Sequence, residues 1–420
     1  VGAFLINGGY RLEGKLKVQG SKNASLPILA ATILNSNKNI IKNMPDIIDI
    51  SVMMSILRIL GAKVLRIDDG VIVDTSNVDK WEVPEILMRK MRSSIILMGP
   101  LLAKFGRVRV SYPGGCEIGP RPIDLHLKGL AALGVEIKEG YGFITAETGK
   151  LKGNDIHLDF PSVGATENLM IAAALAEGRT VIRNAAKEPE IIDLQNFLNR
   201  MGCQIRGAGT DTIKITGCKI EDLKPVDEYS VIPDRIAAGT YLIACAATKG
   251  HVILENVISE HIEPLLAKMR EMGCNINSYN DRIELTAEEP LKALENLRTL
   301  PYPGFPTDLQ APMMSLLSIA EGTSVIIETI FENRFKHAEE LRRMGANIKI
   351  NGNTAIITGV KKLTGAVVEA KDLRAGAALV IAGLCAEGTT VVEGISHIER
   401  GYENFDRNLQ NLGARITRID

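Results

Sequence analysis

The sequence predicts an α/β fold of six repeated units in two halves of three, with Ala-rich helices buried at the centre of each half and sheets and amphipathic helices around them. Two recurring phrases and the length carry that prediction. The first phrase is a helix-like run ending in Leu or Met, then Gly, a small residue and a β-branched strand. LRILGAKV, LAALGVEI, LNRMGCQI, MREMGCNI, LRRMGANI and LQNLGARI place its glycine at Gly61, Gly134, Gly202, Gly273, Gly345 and Gly413, at intervals of 68 to 73 residues. The second phrase closes a small-residue helix with Gly before another strand, at Gly106, Gly178, Gly250, Gly322 and Gly388, with a glycine-free first copy near residues 35–41. Six such units account for a chain of 420 residues.

Each unit reads strand, loop, Ala-rich helix, Gly, strand, loop, amphipathic helix, Gly, strand, turn, strand. Both glycines stand where a helix stops and the chain turns into a strand, a position at which Gly enters the left-handed conformation cheaply. The last strand of each unit is visible at 71–74, 142–146, 212–216, 282–286 and 355–358. The sixth unit lacks it: the sequence stops at 419–420. The spare strands lie at 4–18, so the N-terminal segment is expected to complete the last unit and bring the termini together. Three units per half give domains of 22–232 and of 1–21 plus 233–420, with crossings near Lys22 and near 232–233. Helices at 171–176, 241–247 and 375–385 are apolar almost all round and so buried, whereas those at 264–272 and 338–344 are amphipathic and coat the outside. Helices in the middle with sheet around them invert the usual barrel.

Composition excludes several classes of function. Forty-nine Lys and Arg against 50 Asp and Glu leave a net charge of −1, so no basic field advertises nucleic acid. An apolar share of 45% argues against disorder. The longest apolar runs, 93–103 and 375–385, fall short of the roughly 20 residues a membrane span needs. No charged-then-apolar leader opens the sequence, which argues against secretion, and a first residue of Val suggests a trimmed or engineered start. Six cysteines without short regular spacing form neither a disulfide framework nor a zinc site. His126, His261, His337 and His397 share no metal-type spacing, and no P-loop or G-x-G-x-x-G follows a strand. The expectation is a reduced, cytoplasmic protein with no metal, no cofactor, and no nucleic-acid or membrane partner.

Residues common to all units are structural, so departures within equivalent loops are the candidates. The loops entering the Ala-rich helices include GSKNASL (20–26), KMRSSI (90–95), FPSVGATE (160–167), PGFPTDLQA (303–311) and AKDLRAGA (370–377); those entering the outer helices include MPDIIDIS (44–51), PGGCEIGPRPIDLH (113–126), FENRFKH (331–337) and IERGYE (398–403). Helix N-termini suit phosphate and carboxylate ligands, although much of the Ser and Asp content is ordinary capping. Lys22, Arg92, Arg121, Arg334, Arg374 and Arg400 are not capping residues; together they suggest an anionic ligand, with plain surface solvation the alternative for each alone. Cys203 and Cys274 occupy a slot filled by Ala62, Ala346 and Ala414, Cys245 and Cys385 lie within Ala-rich helices, and Cys218 sits in a turn without a partner pattern. Only Cys116 lies in a long Gly/Pro-rich loop, five residues before Arg121, where cations acidify a thiol; a free structural cysteine is the alternative. Asp308, behind Pro301, Pro303 and Pro306, is either a general base or the cap of the following helix.

GSKNASLPILAA, MRSSIILMGPLLA, PGGCEIGPRPIDLH, FPTDLQAP, ETIFENRF and HIERGYE resemble, along essentially the whole chain, the bacterial UDP-N-acetylglucosamine 1-carboxyvinyltransferases, or enolpyruvyl-UDP-GlcNAc synthases. That family is similar to 5-enolpyruvylshikimate-3-phosphate synthase in architecture, a two-domain inside-out α/β barrel of three units per domain, and the PGGC loop discriminates between them. The resemblance implies transfer of the enolpyruvyl group of phosphoenolpyruvate to the 3-hydroxyl of UDP-N-acetylglucosamine by addition and elimination, with release of phosphate. This is the first committed step of peptidoglycan synthesis, and with it of cell-wall biogenesis, cell shape and division. It also implies that Lys22, Asn23, Arg121 and Arg400 hold phosphoenolpyruvate, and that Asn23, Arg92, Arg121, Pro122, Ile123, Asp124, Leu125, Ser162, Val163, Gly164, Asp308 and Ile330 hold the UDP-sugar. Lys22, Asp308 and Cys116 are the implied catalytic residues, with Asp308 the base. Cys116 matches the family's loop cysteine, a proton donor or an aid to product release, which fosfomycin alkylates; its loop is the implied lid. One departure stands out: some members have Lys where this chain has Phe160, which leaves the diphosphate to the backbone of Ser162, Val163 and Gly164. Shikimate 3-phosphate as acceptor, and a non-catalytic scaffold that kept the fold, are the competing readings; the presence of Cys116 and Asp308 speaks against the scaffold.

Overall fold

Alternation along short strands builds the sheets. In Thr323–Ile327, Ser324 and Ile326 point inward, and in Arg179–Arg183, Thr180 and Ile182 do. The computed structural model describes residues 2–112, 123–288 and 290–419. These fall into two compact units, one of 2–19 with 233–419 and one of 20–112 with 123–232.

Each unit carries three open sheets on one plan. Thr323–Ile327 has Asn296–Arg298 parallel on one side, Thr354–Thr358 antiparallel on the other, and Asn347–Asn351 at the antiparallel edge. The sheet around Arg107–Ser111 has three strands, with the parallel neighbour reduced to a bridge between Glu82 and Arg109. In the 2–19 and 233–419 unit, Ala3–Asn7 lies between Thr389–Glu393 and Arg415–Ile419 and pairs antiparallel with both, filling the place of the strand the sixth repeat lacks. Glu13–Lys17 is the parallel edge against His251–Glu255. In the other unit Tyr229–Ser230 does the same for Lys38–Lys42.

The enclosed helices are Lys22–Ala31, Met98–Phe105 and Val163–Ala173 in one unit, and Arg235–Ala247, Gln310–Leu317 and Leu373–Cys385 in the other. Every residue of Arg235–Ala247 after the first is buried. Small side chains let these helices approach closely enough for Ser315 Oγ to donate to the Ala378 carbonyl at 2.7 Å, which is why so few aromatics are needed. The outer helices bury one stripe: Pro189–Met201 turns Ile191, Leu194, Phe197, Leu198 and Met201 inward and leaves Asn196, Asn199 and Arg200 exposed.

Three local expectations are corrected. The six glycines of the first phrase have φ between +90° and +114°, but Gly250 of the second does not; Lys249 (φ +55°) makes that turn. Gly250 is required because a Cβ there would stand 2.1 Å from the Leu12 carbonyl oxygen. The second Ala-rich helix begins as a 3-10 turn, Arg92–Leu97, before Met98–Phe105. Cys218, read as partnerless, shares a thiol hydrogen bond with Cys203, and with burial this pushes the Cys203 pKa up. One repeated device was not legible. Asn43, Asn184 and Asn256 follow central strands in the left-handed conformation, and their amides donate to Val231, Leu158 and Val18 carbonyls at 2.8, 2.8 and 2.7 Å, stitching the parallel edge strand to its neighbour.

Candidate active site

In the 20–232 unit, Ser21 Oγ caps helix Lys22–Ala31 by accepting from the Ala24 N–H at 3.3 Å. Lys22 follows, buried, where the helix dipole disfavours a cation. Asp49, in the first turn of Ile48–Ile59 and 1% exposed, compensates with an ion pair of 2.7 Å. Asn23 beside it is half-buried. Lys22 is therefore no solvated surface cation.

A second cluster forms where helices Asp124–Ala132 and Val163–Ala173 meet. Ser162 Oγ caps the latter through the Ala165 N–H at 3.3 Å. A Cβ on Gly164 would come within 3.2 Å of the His126 ring, tighter than ordinary contact, so glycine eases the packing of this helix start. His126 Nδ1 lies 3.0 Å from Asn168 Nδ2, and Asn168 Oδ1 accepts the Gly99 N–H at 2.6 Å. Burial, then the Arg92 charge, holds the His126 pKa down at about 4, against an opposing pull from Asp124. The imidazole is neutral at pH 7. Ile123 precedes helix Asp124–Ala132, with Asp124 exposed and Leu125 half-buried. Phe160 is 42% exposed.

In the other unit Asp308 is not the cap of the helix that follows it. No side chain caps Gln310–Leu317. Asp308 instead receives Arg334 Nη2 at 2.9 Å and Arg374 Nη2 at 3.1 Å, on separate carboxylate oxygens. Both arginines are buried, 5% and 4% exposed, and each keeps Nη1 enclosed without a hydrogen-bond partner among the described residues. Unused buried donors are costly, and two on one cluster point to an anionic ligand. Arg374 also lies over the Tyr402 ring at 5.3 Å, and Tyr402 is hydrogen-bonded to Thr240. His337 is buried close by, its pKa lowered to about 4 by burial and, further, by Arg334, while Asp372 opposes. Arg400 ends the 3-10 turn Ile395–Arg400; Gln19 braces the next residues by donating to the Gly401 carbonyl at 3.0 Å and accepting from the Glu403 N–H at 2.7 Å. The Ile330 N–H is taken by Glu328 at 2.8 Å.

Both neutral histidines make folding acid-sensitive. As pH falls below the ordinary histidine value of 6.5, the unfolded chain takes up a proton that the folded chain refuses until about pH 4. Each therefore removes up to about 3 kcal/mol over that window. Asp193, raised to about 6 mainly by burial, works the other way, gaining stability as pH falls through 6. The His337→Asn variant should lose less unfolding free energy than the parent between pH 6.5 and 4, by urea titration; equal slopes would contradict this origin.

Of the sequence-predicted residues, Lys22, Asn23, Arg92, Ile123, Asp124, Leu125, Ser162, Val163 and Gly164 lie in one unit, and Asp308, Ile330 and Arg400 in the other. Cys116, Arg121 and Pro122 lie outside the described residues. Sequence reasoning missed Asp49, Asn168, Glu328 and Tyr402 as site components. The only available signal was that Asp49 and Tyr402 fall in helix-entry loops.

The family model described as EPSP synthase (3-phosphoshikimate 1-carboxyvinyltransferase) matches residues 6–409. UDP-N-acetylglucosamine 1-carboxyvinyltransferase 2 of Caldanaerobacter subterraneus subsp. tengcongensis is 58% identical over 420 residues, all of both chains. UDP-N-acetylglucosamine 1-carboxyvinyltransferase 1 of Carboxydothermus hydrogenoformans is 53% identical over 417 residues, 99% of this chain and 98% of the other. The chain belongs to the UDP-N-acetylglucosamine 1-carboxyvinyltransferases. Among solved structures, the enolpyruvyl transferase NikO of Streptomyces tendae matches with a TM-score of 0.90 at 25% identity, over 99% of this chain and 98% of that one. EPSP synthase of Acinetobacter baumannii matches at 0.75 and 19% identity over all of both chains, a likeness of fold alone. This UDP-N-acetylglucosamine 1-carboxyvinyltransferase chain is thus a transferase of two three-sheet units. No helix among its described residues is long and apolar enough to cross a membrane.

Proposed function

We propose that the chain transfers the enolpyruvyl group of phosphoenolpyruvate to the 3-hydroxyl of UDP-N-acetylglucosamine and releases phosphate, the first committed step of peptidoglycan synthesis, in the cytoplasm. The observation that carries this reading is end-to-end identity of 58% to a relative of that name. The Asp308 cluster, with its spare guanidinium donors, supports it.

In the proposed mechanism the methylene carbon of phosphoenolpyruvate gains a proton, leaving an oxocarbenium-like C2. Asp308 takes the proton of the sugar 3-hydroxyl as its oxygen bonds to C2, giving a tetrahedral ketal. Loss of a proton from the new methyl group and cleavage of the C2–O bond to phosphate restore the double bond. Lys22 and Arg121, with Arg400, bind the phosphate and carboxylate and stabilise the departing charge. Asn23 is assigned to both substrates. Arg92, Pro122, Ile123, Asp124, Leu125, Ile330 and the helix start at Ser162, Val163 and Gly164 are assigned to the UDP-sugar, where the positive end of the helix suits the diphosphate in place of a lysine at Phe160. Cys116 is assigned to the loop, as proton donor or in product release.

Fosfomycin tests the cysteine assignment. Intact-mass measurement should find one covalent adduct on the parent and none on Cys116→Ser; an adduct on the variant would refute the assignment. The family model's own description favours shikimate 3-phosphate as a second acceptor to try. Phosphate release from phosphoenolpyruvate should depend on UDP-N-acetylglucosamine and not on shikimate 3-phosphate.

A further inference from the structure

Tyr112 and Gly394 stand just past the central strand in two repeats; in three others the residue there has one shared job. Asn43, Asn184 and Asn256 hold it, each a left-handed residue whose amide donates to the carbonyl just past the parallel edge strand. The equivalent place after Thr323–Ile327 is Glu328, which is not left-handed and is 2% exposed. Its side chain accepts where the asparagines donate. The strand stitch has passed to its neighbour: Thr329 Oγ1 donates to the carbonyl of Thr299, the residue past the edge strand Asn296–Arg298, at 2.6 Å.

The Glu328 carboxylate is thereby released for other partners. Oε1 accepts from Thr299 Oγ1 at 2.8 Å, the Ile330 N–H at 2.8 Å and the Phe331 N–H at 3.2 Å, and Oε2 accepts from Thr307 Oγ1 at 2.9 Å. Four donors thus converge on one buried carboxylate, three on Oε1 and one on Oε2. Thr307 is itself a departure. It follows Pro306 as the capping Asp234 follows Pro233, but its hydroxyl turns to Glu328 and leaves the helix start without a side-chain cap. Asp308 comes next, on Arg334 and Arg374. Arg334 lies over the ring of Phe331, whose N–H Glu328 holds.

We infer that Glu328 is a positioning residue for the transfer reaction: one buried carboxylate ties the loop that carries Asp308 to the loop that carries Ile330, and so sets the base against the sugar nucleotide. The inference rests on the proposed activity for its kinetic arm only. Glu328→Ala frees both loops and should lower kcat/KM for UDP-N-acetylglucosamine on the order of 10- to 100-fold, as loss of charged hydrogen bonds and a small misplacement of the base require. The KM for phosphoenolpyruvate should change much less. Glu328→Gln keeps an acceptor for the N–H groups, and the Thr307 hydroxyl can turn to accept from its amide, so it should recover most of the loss. Thr307→Val cuts one bond at constant shape and should cost several-fold alone but little more on top of Glu328→Ala.

The experiment is steady-state kinetics of the parent, Glu328→Ala, Glu328→Gln, Thr307→Val and the double variant, with amide hydrogen exchange at Ile330 and Phe331 in each. Faster exchange at those amides in Glu328→Ala, with the UDP-sugar-specific loss and rescue by Gln, is the expected result. Unchanged exchange, or equal losses toward both substrates without rescue, would overturn the inference. Should Glu328→Ala fail to fold, Glu328→Gln and Thr307→Val carry the same test. If the parent releases no phosphate with UDP-N-acetylglucosamine, the activity reading falls, and the exchange arm still decides whether Glu328 ties the loops.

Discussion

Asp308→Asn should lower kcat by about 10²- to 10⁴-fold, the range that removing a general base produces, while leaving the UDP-sugar KM within a few-fold. Asparagine keeps the shape and one acceptor oxygen but cannot take the hydroxyl proton. Asp308→Ala should do the same and also unfold more easily. Its carboxylate pairs with two buried guanidiniums, Arg334 and Arg374, and stripping one side from a buried ion pair costs about 3–5 kcal/mol. The two variants separate chemistry from packing: urea unfolding should place Asp308→Asn closer to the parent than Asp308→Ala, with both nearly inactive. A fall in kcat below tenfold in Asp308→Asn would remove Asp308 from the role of base.

Lys22→Ala should abolish saturation by phosphoenolpyruvate and cost stability as well. Asp49 is 1% exposed and holds Lys22 Nζ at 2.7 Å, so the substitution takes an ion-pair partner from a buried carboxylate, a loss of about 3 kcal/mol. Phosphate and carboxylate groups of the substrate lose a cation at the same time, and kcat/KM for phosphoenolpyruvate should drop by at least about 100-fold. Lys22→Arg should not restore it, because a planar fork does not replace a point charge on a short approach. Kinetics with phosphoenolpyruvate varied, alongside urea unfolding, checks both effects. Unchanged KM with parental stability would make the pair incidental.

Much of the fold was legible because its rules are local. A glycine after a helix and alternation along five-residue strands recur six times, and each copy confirms the others. The strands expected at 212–216 and 282–286 are Thr212–Thr216 and Arg282–Thr286. Gly250 shows the limit: its need is a carbonyl of Leu12, more than two hundred residues away, which no local pattern encodes. The site divides in the same way. Cations out of place in helix-entry loops could be seen in the sequence, but their partners could not, since Asp308 meets Arg374 across 66 residues and Asn168 meets His126 across 42. That Asp308 caps no helix and faces two arginines shows only in the folded chain, and a glutamate where three sister units have asparagine becomes meaningful only once the strands are superposed. The near-zero charge of the whole chain, −1, likewise concealed Lys22, Arg334 and Arg374, all of them buried.

The most direct test of the proposed transfer follows one oxygen atom. UDP-N-acetylglucosamine labelled with ¹⁸O at the 3-hydroxyl is incubated with the enzyme and unlabelled phosphoenolpyruvate, and both products are analysed by mass spectrometry. The predicted result is ¹⁸O retained wholly in the enolpyruvyl ether and none in the released phosphate, because the sugar oxygen attacks C2 and the C2–O bond of phosphoenolpyruvate breaks. Label in phosphate, or phosphate released without an enolpyruvyl sugar nucleotide, would contradict it.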